Sequence, residues 1–324
     1  IKTHLKLAWL KRDEENKTFG IAFKTLPSDD SGVFHILEHS VLCGSKKYPV
    51  KEPFVELMKS SMSTFLNALT FEDKTFYPIS SRNNQDFMNL TKVYLDAVFN
   101  PLILNKKEIF LQEGWHVEAT EKPTYKGVVL NEMKGAFSSP DDVLEREIMN
   151  SLFPDTTYGC ESGGDPVNIP DLSYEEFLDF HRQYYHPSNS FIYLYGNMDM
   201  EEKLEFLDSH YLSAFDSLVI DSEIRDQEAF AQVKDIQKSY PVSEDEGEED
   251  NTYLSYNKVI GTSLDEKLYL AFQILDYALL SAPGAPLKQA LIDAGIGMDI
   301  GGGYDNSTLQ PVFSVIAKNA NQEQ

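Results

Sequence analysis

An internal repeat constrains this chain more than any other feature of its sequence. With an offset of 233 residues (286 − 53), Pro53 falls on Pro286, and about sixty residues align without a gap. The matched positions share polarity: Ile21 with Leu254, Phe23 with Tyr256, Leu37 with Leu270, Val41 with Ile274, Met58 with Leu291, Phe65 with Met298 and Pro78 with Pro311. Such self-similarity indicates a duplicated structural unit. Only 91 residues (324 − 233) remain for the second copy, so we expect a truncated second unit and a longer natural polypeptide.

The repeat predicts a strand, a helix, a short helix and two strands in each copy. Thr18 to Thr25 has the β-branched and aromatic residues of a strand, and Phe34 to Cys43 is predicted to be helical. Pro53 suits the first turn of the next helix, and Thr64–Leu69 and Thr75–Ser80 suit two paired strands. Further helices are predicted near residues 83–99, 105–113, 128–148, 173–184 and 200–216, with a strand near residues 190–196. These elements predict an α+β fold.

The net charge and the distribution of apolar residues limit the kinds of molecule that this protein is expected to bind. The net charge of −24 repels nucleic acid and anionic lipid, and it either attracts cationic peptides or merely keeps the protein in solution. No apolar run approaches the roughly 20 residues that span a bilayer. We therefore expect neither a nucleic-acid nor a membrane partner. Two cysteines, Cys43 and Cys160, are too few for a disulfide framework. The expected location is the cytoplasm, or an organelle matrix if a targeting segment was removed.

The stretch His35-Ile36-Leu37-Glu38-His39 carries the chemistry. Residues four apart share a helix face, so both imidazoles can reach one ion, and Glu38 lies close enough to hold a water beside it. This is the HxxEH arrangement of the inverzincins. Two neutral imidazoles and an anionic third ligand suit tetrahedral zinc with an open position.

The repeat strengthens the zinc prediction. At the same offset His35, Glu38 and His39 become the apolar residues Leu268, Ala271 and Phe272. We infer that this helix face points into the interior, where two histidines and a glutamate are costly unless a metal satisfies them.

Spacing alone does not choose the third ligand. Five glutamates and one histidine follow at plausible distances: Glu108, Glu113, Glu118, Glu121, Glu132 and His116.

Several separated motifs resemble one family of peptidases. They are His35–Ser45 (HILEHSVLCGS), Ser63–Ala68 (STFLNA), Gly127–Gly135 (GVVLNEMKG), Ser162–Pro166 (SGGDP), Tyr185–Asn189 (YHPSN) and Tyr195–Asn197 (YGN). In this order they resemble the pitrilysin (insulinase) family of zinc metallopeptidases, and within it the presequence protease and falcilysin branch.

The resemblance implies a site and a fold. Glu132 would be the third ligand beside His35 and His39 of one Zn²⁺ per chain, with Glu38 as the general base. Asn67 and Ala68 would contact the substrate, whose backbone would pair with the following strand. The implied fold is that of the metallohydrolases related to mitochondrial processing peptidase, an antiparallel sheet with packed helices, duplicated in each half of the enzyme.

The resulting domain plan has three segments. Residues 1–240 would form the zinc-bearing catalytic domain, residues 241–251 an acidic linker, and residues 252–324 the start of a second, metal-free domain. The expected partners are unfolded peptides, basic ones among them, and a carboxy-terminal half of the same polypeptide. The leading hypothesis is a zinc endopeptidase that degrades short unstructured peptides. The alternatives are a non-catalytic scaffold subunit of the same fold and an acidic peptide-binding module with structural zinc.

Overall fold

The computed structural model describes residues 2–242 and 250–321, in two units. The first unit contains the residues up to Gly135 together with Glu161–Glu223, and the second contains Ala136–Cys160 together with the residues from Ile224 onward. The segment 136–160 thus groups with the second unit although it lies within the first predicted domain. Of the predicted acidic linker, residues 241–251, the part from 243 to 249 lies outside the described residues.

The described chain contains both strands and helices, in runs of one to three of a kind. The strands are β1 Lys6–Leu10, β2 Lys17–Lys24, β3 Ser63–Leu66, β4 Leu69–Thr70, β5 Lys74–Ser81, β6 His116–Glu118, β7 Thr124–Lys126, β8 Ser190–Tyr195, β9 Thr252–Val259, β10 Asp299–Asp305 and β11 Val312–Ala320. The helices are α1 Val33–Val41, α2 Pro53–Ser60, α3 Asn84–Phe99, α4 Lys107–Glu113, α5 Val128–Ala136, α6 Pro140–Leu152, α7 Tyr174–Tyr184, α8 Met200–His210, α9 Glu266–Asp276 and α10 Pro286–Asp293. The α+β class predicted from the sequence is confirmed.

A six-stranded sheet forms the centre of the first unit. Its order is β1-β8-β2-β5-β3, and β4 continues the line of β3 along β5. All pairs are antiparallel except β1 with β8, which is parallel. Alternate side chains of β2, Phe19, Ile21 and Phe23, are fully buried, as expected for a central strand. The sheet is therefore the rigid platform of this unit.

Two of the predicted helices are not continuous over their predicted ranges. The helix expected over residues 128–148 is two helices, α5 and α6. The chain leaves the helix near Ser138, Ser139 caps the new helix by accepting a hydrogen bond from the Asp142 N–H at 3.4 Å, and Pro140 opens its first turn. The helix expected over 200–216 ends at His210 and is followed by the short 3₁₀ turn Leu212–Ala214.

The structure of the second unit follows the repeat through its helices but not through its last hairpin. Both α9 and α10 begin 233 residues after α1 and α2 (266 − 33; 286 − 53). In the first copy, Ile21 of β2 pairs with Tyr77 of β5. The offset maps these two residues to Leu254 and Gln310. Leu254 of β9 pairs instead with Ala317, seven residues after Gln310 (317 − 310). A gap in the repeat therefore lies between α10 and β11.

The inference that the equivalent face of the second copy is interior is wrong for this chain. No described residue of α9 is fully buried: Leu268 and Phe272 are half-buried and Ala271 is exposed. The physical reason is that α9 rests on the three-stranded sheet β10-β11-β9 with one side only, where Phe272 packs on Tyr304 and Phe313.

None of the helices in the described residues has the length and apolar character of a membrane span.

Candidate metal centre

Helix α1 presents two imidazoles and a carboxylate on one side. It begins after Gly32, which lies in the left-handed region at φ 65°, and the Ile36 N–H donates to the Gly32 carbonyl in its first turn. His35 and Glu38 are 8% and 9% exposed, and the His35 and His39 rings lie 5.0 Å apart between their centroids. The nearness predicted from the i, i+4 spacing is therefore present.

Glu132 of α5 joins this pair. Its Oε2 lies 3.7 Å from Nε2 of His35 and 3.6 Å from Nε2 of His39. Ligands at about 2.0 to 2.1 Å from a tetrahedral zinc ion lie about 3.3 Å from each other, so the cluster needs only a small contraction to hold one. Within the described residues these three side chains are the group whose donor atoms, all within 4.8 Å of one another, could bind a metal. The donor set therefore fits zinc in chemistry and in size.

The other candidates for the third position lie elsewhere. Glu108, Glu118 and Glu121 are exposed on α4, on β6 and in the turn after it. His116 directs Nδ1 to the Leu111 carbonyl at 2.7 Å. Glu113 lies behind His39, on the side away from Glu132, as described below.

A glycine loop fixes the His35 ring. Nδ1 of His35 lies 2.9 Å from the Gly163 carbonyl oxygen, which can only accept, so the proton is on Nδ1 and Nε2 presents its lone pair to Glu132 and the metal position. Burial lowers the pKa of His35 below its ordinary value, which also favours the neutral, ligating ring. The segment Ser162-Gly163-Gly164, part of the SGGDP motif by which the chain resembles the pitrilysin family, thus has a structural role.

Glu113 fixes the His39 ring in the same way. Its Oε2 lies 3.4 Å from Nδ1 of His39, and its Oε1 accepts from Nε2 of Gln112 at 2.8 Å and from the Cys43 thiol at 3.5 Å. Although burial raises the pKa of Glu113, these hydrogen bonds lower it overall, so Glu113 is a carboxylate. Burial lowers the pKa of His39, but the hydrogen bond that its ring donates to Glu113 and the nearby carboxylates raise it overall.

Glu38 is the buried carboxyl group of the site. Its pKa is raised to about 7, chiefly because the group is buried and also because of the charge of Glu132, although His39 and a 3.5 Å hydrogen bond from the Thr70 hydroxyl lower it in part. A carboxyl group with a pKa near neutrality is suited to proton transfer. The sequence reasoning gave no signal for Thr70.

Asn67 and Ala68 lie between β3 and β4, at the edge of the sheet next to α1. The Asn67 N–H donates to the Pro78 carbonyl of β5 at 3.2 Å, and four residues later the Phe71 N–H donates to the Lys74 carbonyl. In a strand, successive peptide groups point to opposite sides. Asn67 therefore directs its backbone groups to β5, and Ala68 directs its own to the open edge.

Family models match both parts of this chain. The model described as Insulinase (Peptidase family M16) matches residues 27–161, and the model described as Peptidase M16 inactive domain matches residues 171–323. The first match contains His35, Glu38, His39 and Glu132. The second contains the repeat copy in which apolar residues replace the first three.

Curated relatives and a solved structure agree with these matches. Protein HypA of Clostridium perfringens is 54% identical over 322 residues, 98% of this chain and 33% of that protein. Presequence protease 1, chloroplastic/mitochondrial, of Arabidopsis thaliana is 45% identical over 329 residues, 99% of this chain and 30% of that protein. The crystal structure of pitrilysin has a TM-score of 0.63 at 18% identity and covers 96% of this chain and 32% of that one, which supports the fold alone.

The chain spans about a third of the length of the curated relatives that it matches. Two models of one family, consecutive along the sequence, together with the α+β fold and the similarity to presequence proteases, show that the chain belongs to peptidase family M16, the insulinase family.

Proposed function

We propose that this chain is the zinc-binding catalytic part of a longer endopeptidase that degrades short unstructured peptides. The observation that carries the proposal is the convergence of His35, His39 and Glu132 beside the buried carboxyl group of Glu38. In it, His35, His39 and Glu132 hold one Zn²⁺ and Glu38 is the general base. The name of the Arabidopsis relative, a presequence protease, supports a peptidase, and the greater length of both relatives supports a second half of the same polypeptide.

The residues of the site divide the chemistry between them. Zinc bound there supplies a Lewis acid that polarises the peptide carbonyl and acidifies the attacking water. Glu38 would act as the carboxylate that accepts the proton of the attacking water. The same carboxyl group can then return the proton to the leaving amine. Thr70 holds one of its oxygens in place during both steps.

The sheet edge accounts for the substrate class. A peptide that adds to the edge at Ala68 must be extended, which excludes a folded protein and admits a short unstructured one. The Asn67 side chain is left to contact the same peptide. The net charge of −24 favours peptides that carry basic residues.

The proposal is tested by substituting the base while keeping the metal ligands. In the full-length polypeptide that contains this chain, Glu38→Gln should retain one zinc per chain by metal analysis and lose cleavage of a fluorogenic peptide by at least about 100-fold. Glu108→Gln, at an exposed position of α4, is the matched control and should cleave normally.

Three results would contradict the proposal. Absence of zinc from protein produced with added zinc would show that His35, His39 and Glu132 do not form a zinc site. Full zinc occupancy without cleavage by the unsubstituted polypeptide would favour a scaffold subunit. Binding of basic peptides that a chelator does not change, again without cleavage, would favour an acidic peptide-binding module.

A further inference from the structure

Pro78 occupies a position where proline is costly. Strand β5 lies between β2 and β3–β4, so it is an interior strand, and proline within a sheet removes a ladder hydrogen bond. Gly20 of β2 and Asn67 both lie opposite Pro78, which bonds through its carbonyl to Asn67. In such a pair the two residues normally exchange two hydrogen bonds. Because Pro78 has no N–H, the Asn67 carbonyl loses its partner in the sheet.

A tyrosine hydroxyl takes the place of the missing N–H. Tyr94 of α3 is fully buried, and its hydroxyl donates to the Asn67 carbonyl at 3.2 Å. Burial and the nearby charge of Glu38 both raise the pKa of Tyr94, so the hydroxyl keeps the proton that it donates. The hydrogen bonding of Asn67 to the sheet is complete, but one of its two bonds comes from a helix side chain.

We propose that Tyr94 is a positioning residue, which replaces the hydrogen bond that Pro78 cannot donate and so holds Asn67 and Ala68 in register for a peptide strand beside Glu38. The segment is fixed at its other end as well, where Thr70 of β4 donates to Glu38. With Asn67 saturated on the β5 side, the backbone groups of Ala68 stay directed to the open edge. The substrate part of this inference rests on the proposed peptidase function, whereas the structural part does not.

The structural part is tested on this chain without substrate, by amide hydrogen exchange. Tyr94→Phe removes one oxygen and leaves the half-buried Asn67 carbonyl without its donor, so exchange of the Asn67 amide should accelerate about tenfold. Tyr211→Phe is the matched control, because Tyr211 is also buried and its hydroxyl also donates to a carbonyl, that of Lys92 on the same helix, at 3.1 Å. The control should leave Asn67 exchange unchanged.

A second substitution provides a rescue. Pro78→Ala restores a backbone N–H opposite the Asn67 carbonyl, so in the double variant with Tyr94→Phe the Asn67 amide should again exchange slowly, and the amide introduced at position 78 should be protected. Unchanged Asn67 exchange in Tyr94→Phe would overturn the inference, and so would acceleration that Pro78→Ala does not reverse. If Tyr94→Phe alone unfolds the chain, the double variant should fold, and its failure to do so would also overturn the inference.

The substrate part is tested in the full-length polypeptide. Tyr94→Phe should raise KM for an unstructured peptide about tenfold, with zinc content unchanged and kcat within about twofold, because the edge is displaced while the metal ligands are not. An unchanged KM beside accelerated Asn67 exchange would overturn the link to substrate. A polypeptide without peptidase activity before any substitution would instead contradict the proposed function and leave the exchange results as they stand.

Discussion

Glu113 shows how a residue outside the proposed metal ligands can orient one of them. Both of its carboxylate oxygens are occupied, one by His39 and the other by Gln112 and Cys43, and the residue is 6% exposed. Because a carboxylate accepts and cannot donate, it selects the His39 tautomer with the proton on Nδ1, which leaves the lone pair of Nε2 available to the proposed metal. A carboxylate in this position also raises the basicity of the ligand.

Removing the charge of Glu113 should therefore weaken metal binding without removing a ligand. We expect Glu113→Gln to lower the zinc affinity about ten- to 100-fold, as other substitutions of groups behind a ligating histidine do. The measurement is competition with a chromophoric chelator. Glu108→Gln, on the exposed side of the same helix, is the control, and equal affinities in the two variants would refute the role of Glu113.

The residues that sequence reasoning found are those whose relation is local. His35, Glu38 and His39 follow from the helical period alone. Glu132 approaches them only through the tertiary structure, which brings its carboxylate within 3.7 Å of His35 and 3.6 Å of His39, so spacing left it among six candidates until the family resemblance chose it. Glu113 stood among those candidates as a possible ligand, and its position behind His39 depends on tertiary structure that no local pattern encodes.

At the scale of elements, the loop 162–164 supports α1 through two glycines. Gly164 has φ 98°, and a Cβ added there would meet Ile169 at 2.8 Å and the Gly32 Cα at 2.9 Å. The neighbouring Gly163 carbonyl holds His35. The close approach of the loop to the backbone of Gly32 is thus the reason for the glycine at position 164.

Gly164→Ala should disturb both the fold and the site. We expect a loss of about 1–3 kcal/mol in the free energy of unfolding, from the strained backbone, and weaker zinc binding because the Gly163 carbonyl moves. Urea denaturation and zinc titration measure the two effects. Gly135→Ala, within α5 where an added Cβ meets no heavy atom within 4 Å, is the control and should stabilise the protein by about 0.5–1 kcal/mol. A Gly164→Ala variant with unchanged stability and normal zinc affinity would show that the loop accommodates a Cβ at this position, and would contradict the prediction.

Elements were predictable where their signals are local. The starts of α2 and α10 follow from Pro53 and Pro286, and the local signal for the break between α5 and α6 is Ser139-Pro140, a capping serine followed by a first-turn proline. The parallel pairing of β1 with β8 was not predicted, because it joins residues such as Lys6 and Phe191 from distant parts of the chain.

At the scale of the whole molecule, the repeat predicted the order of elements in both copies but not how they are buried. Polarity matched at an offset of 233 residues says that two segments fold alike, and α9 and α10 do begin where the offset places them. It does not say which faces are covered. That depends on the layers around each copy, which differ: His35 is buried in α1, whereas Leu268 is only half-buried in α9.

The first unit should become less stable as the pH falls, because its core contains a histidine. His181 is buried, and its Nε2–H donates to the Val98 carbonyl at 3.0 Å. Its ring stacks on the ring of Tyr185, with 4.9 Å between the two centroids. Burial lowers its pKa to about 4, against about 6.5 in an unfolded chain. Between these values the unfolded chain binds a proton that the folded one does not, so the contribution of His181 to stability is present above pH 6.5 and decreases as the pH falls.

The loss should amount to about 2 kcal/mol at pH 5, from 1.36 kcal/mol per pKa unit. His181→Gln keeps an N–H donor but cannot take up the proton. Its destabilisation relative to the unsubstituted chain, measured by urea denaturation, should therefore shrink by about 2 kcal/mol between pH 7 and pH 5. Other groups that titrate in this range, Glu38 among them, cancel in the difference between the two proteins. The same substitution at His210, exposed on α8, is the control. A destabilisation by His181→Gln that is equal at both pH values would mean that the buried ring takes up its proton without unfolding, and that its burial is not what makes the fold sensitive to acid.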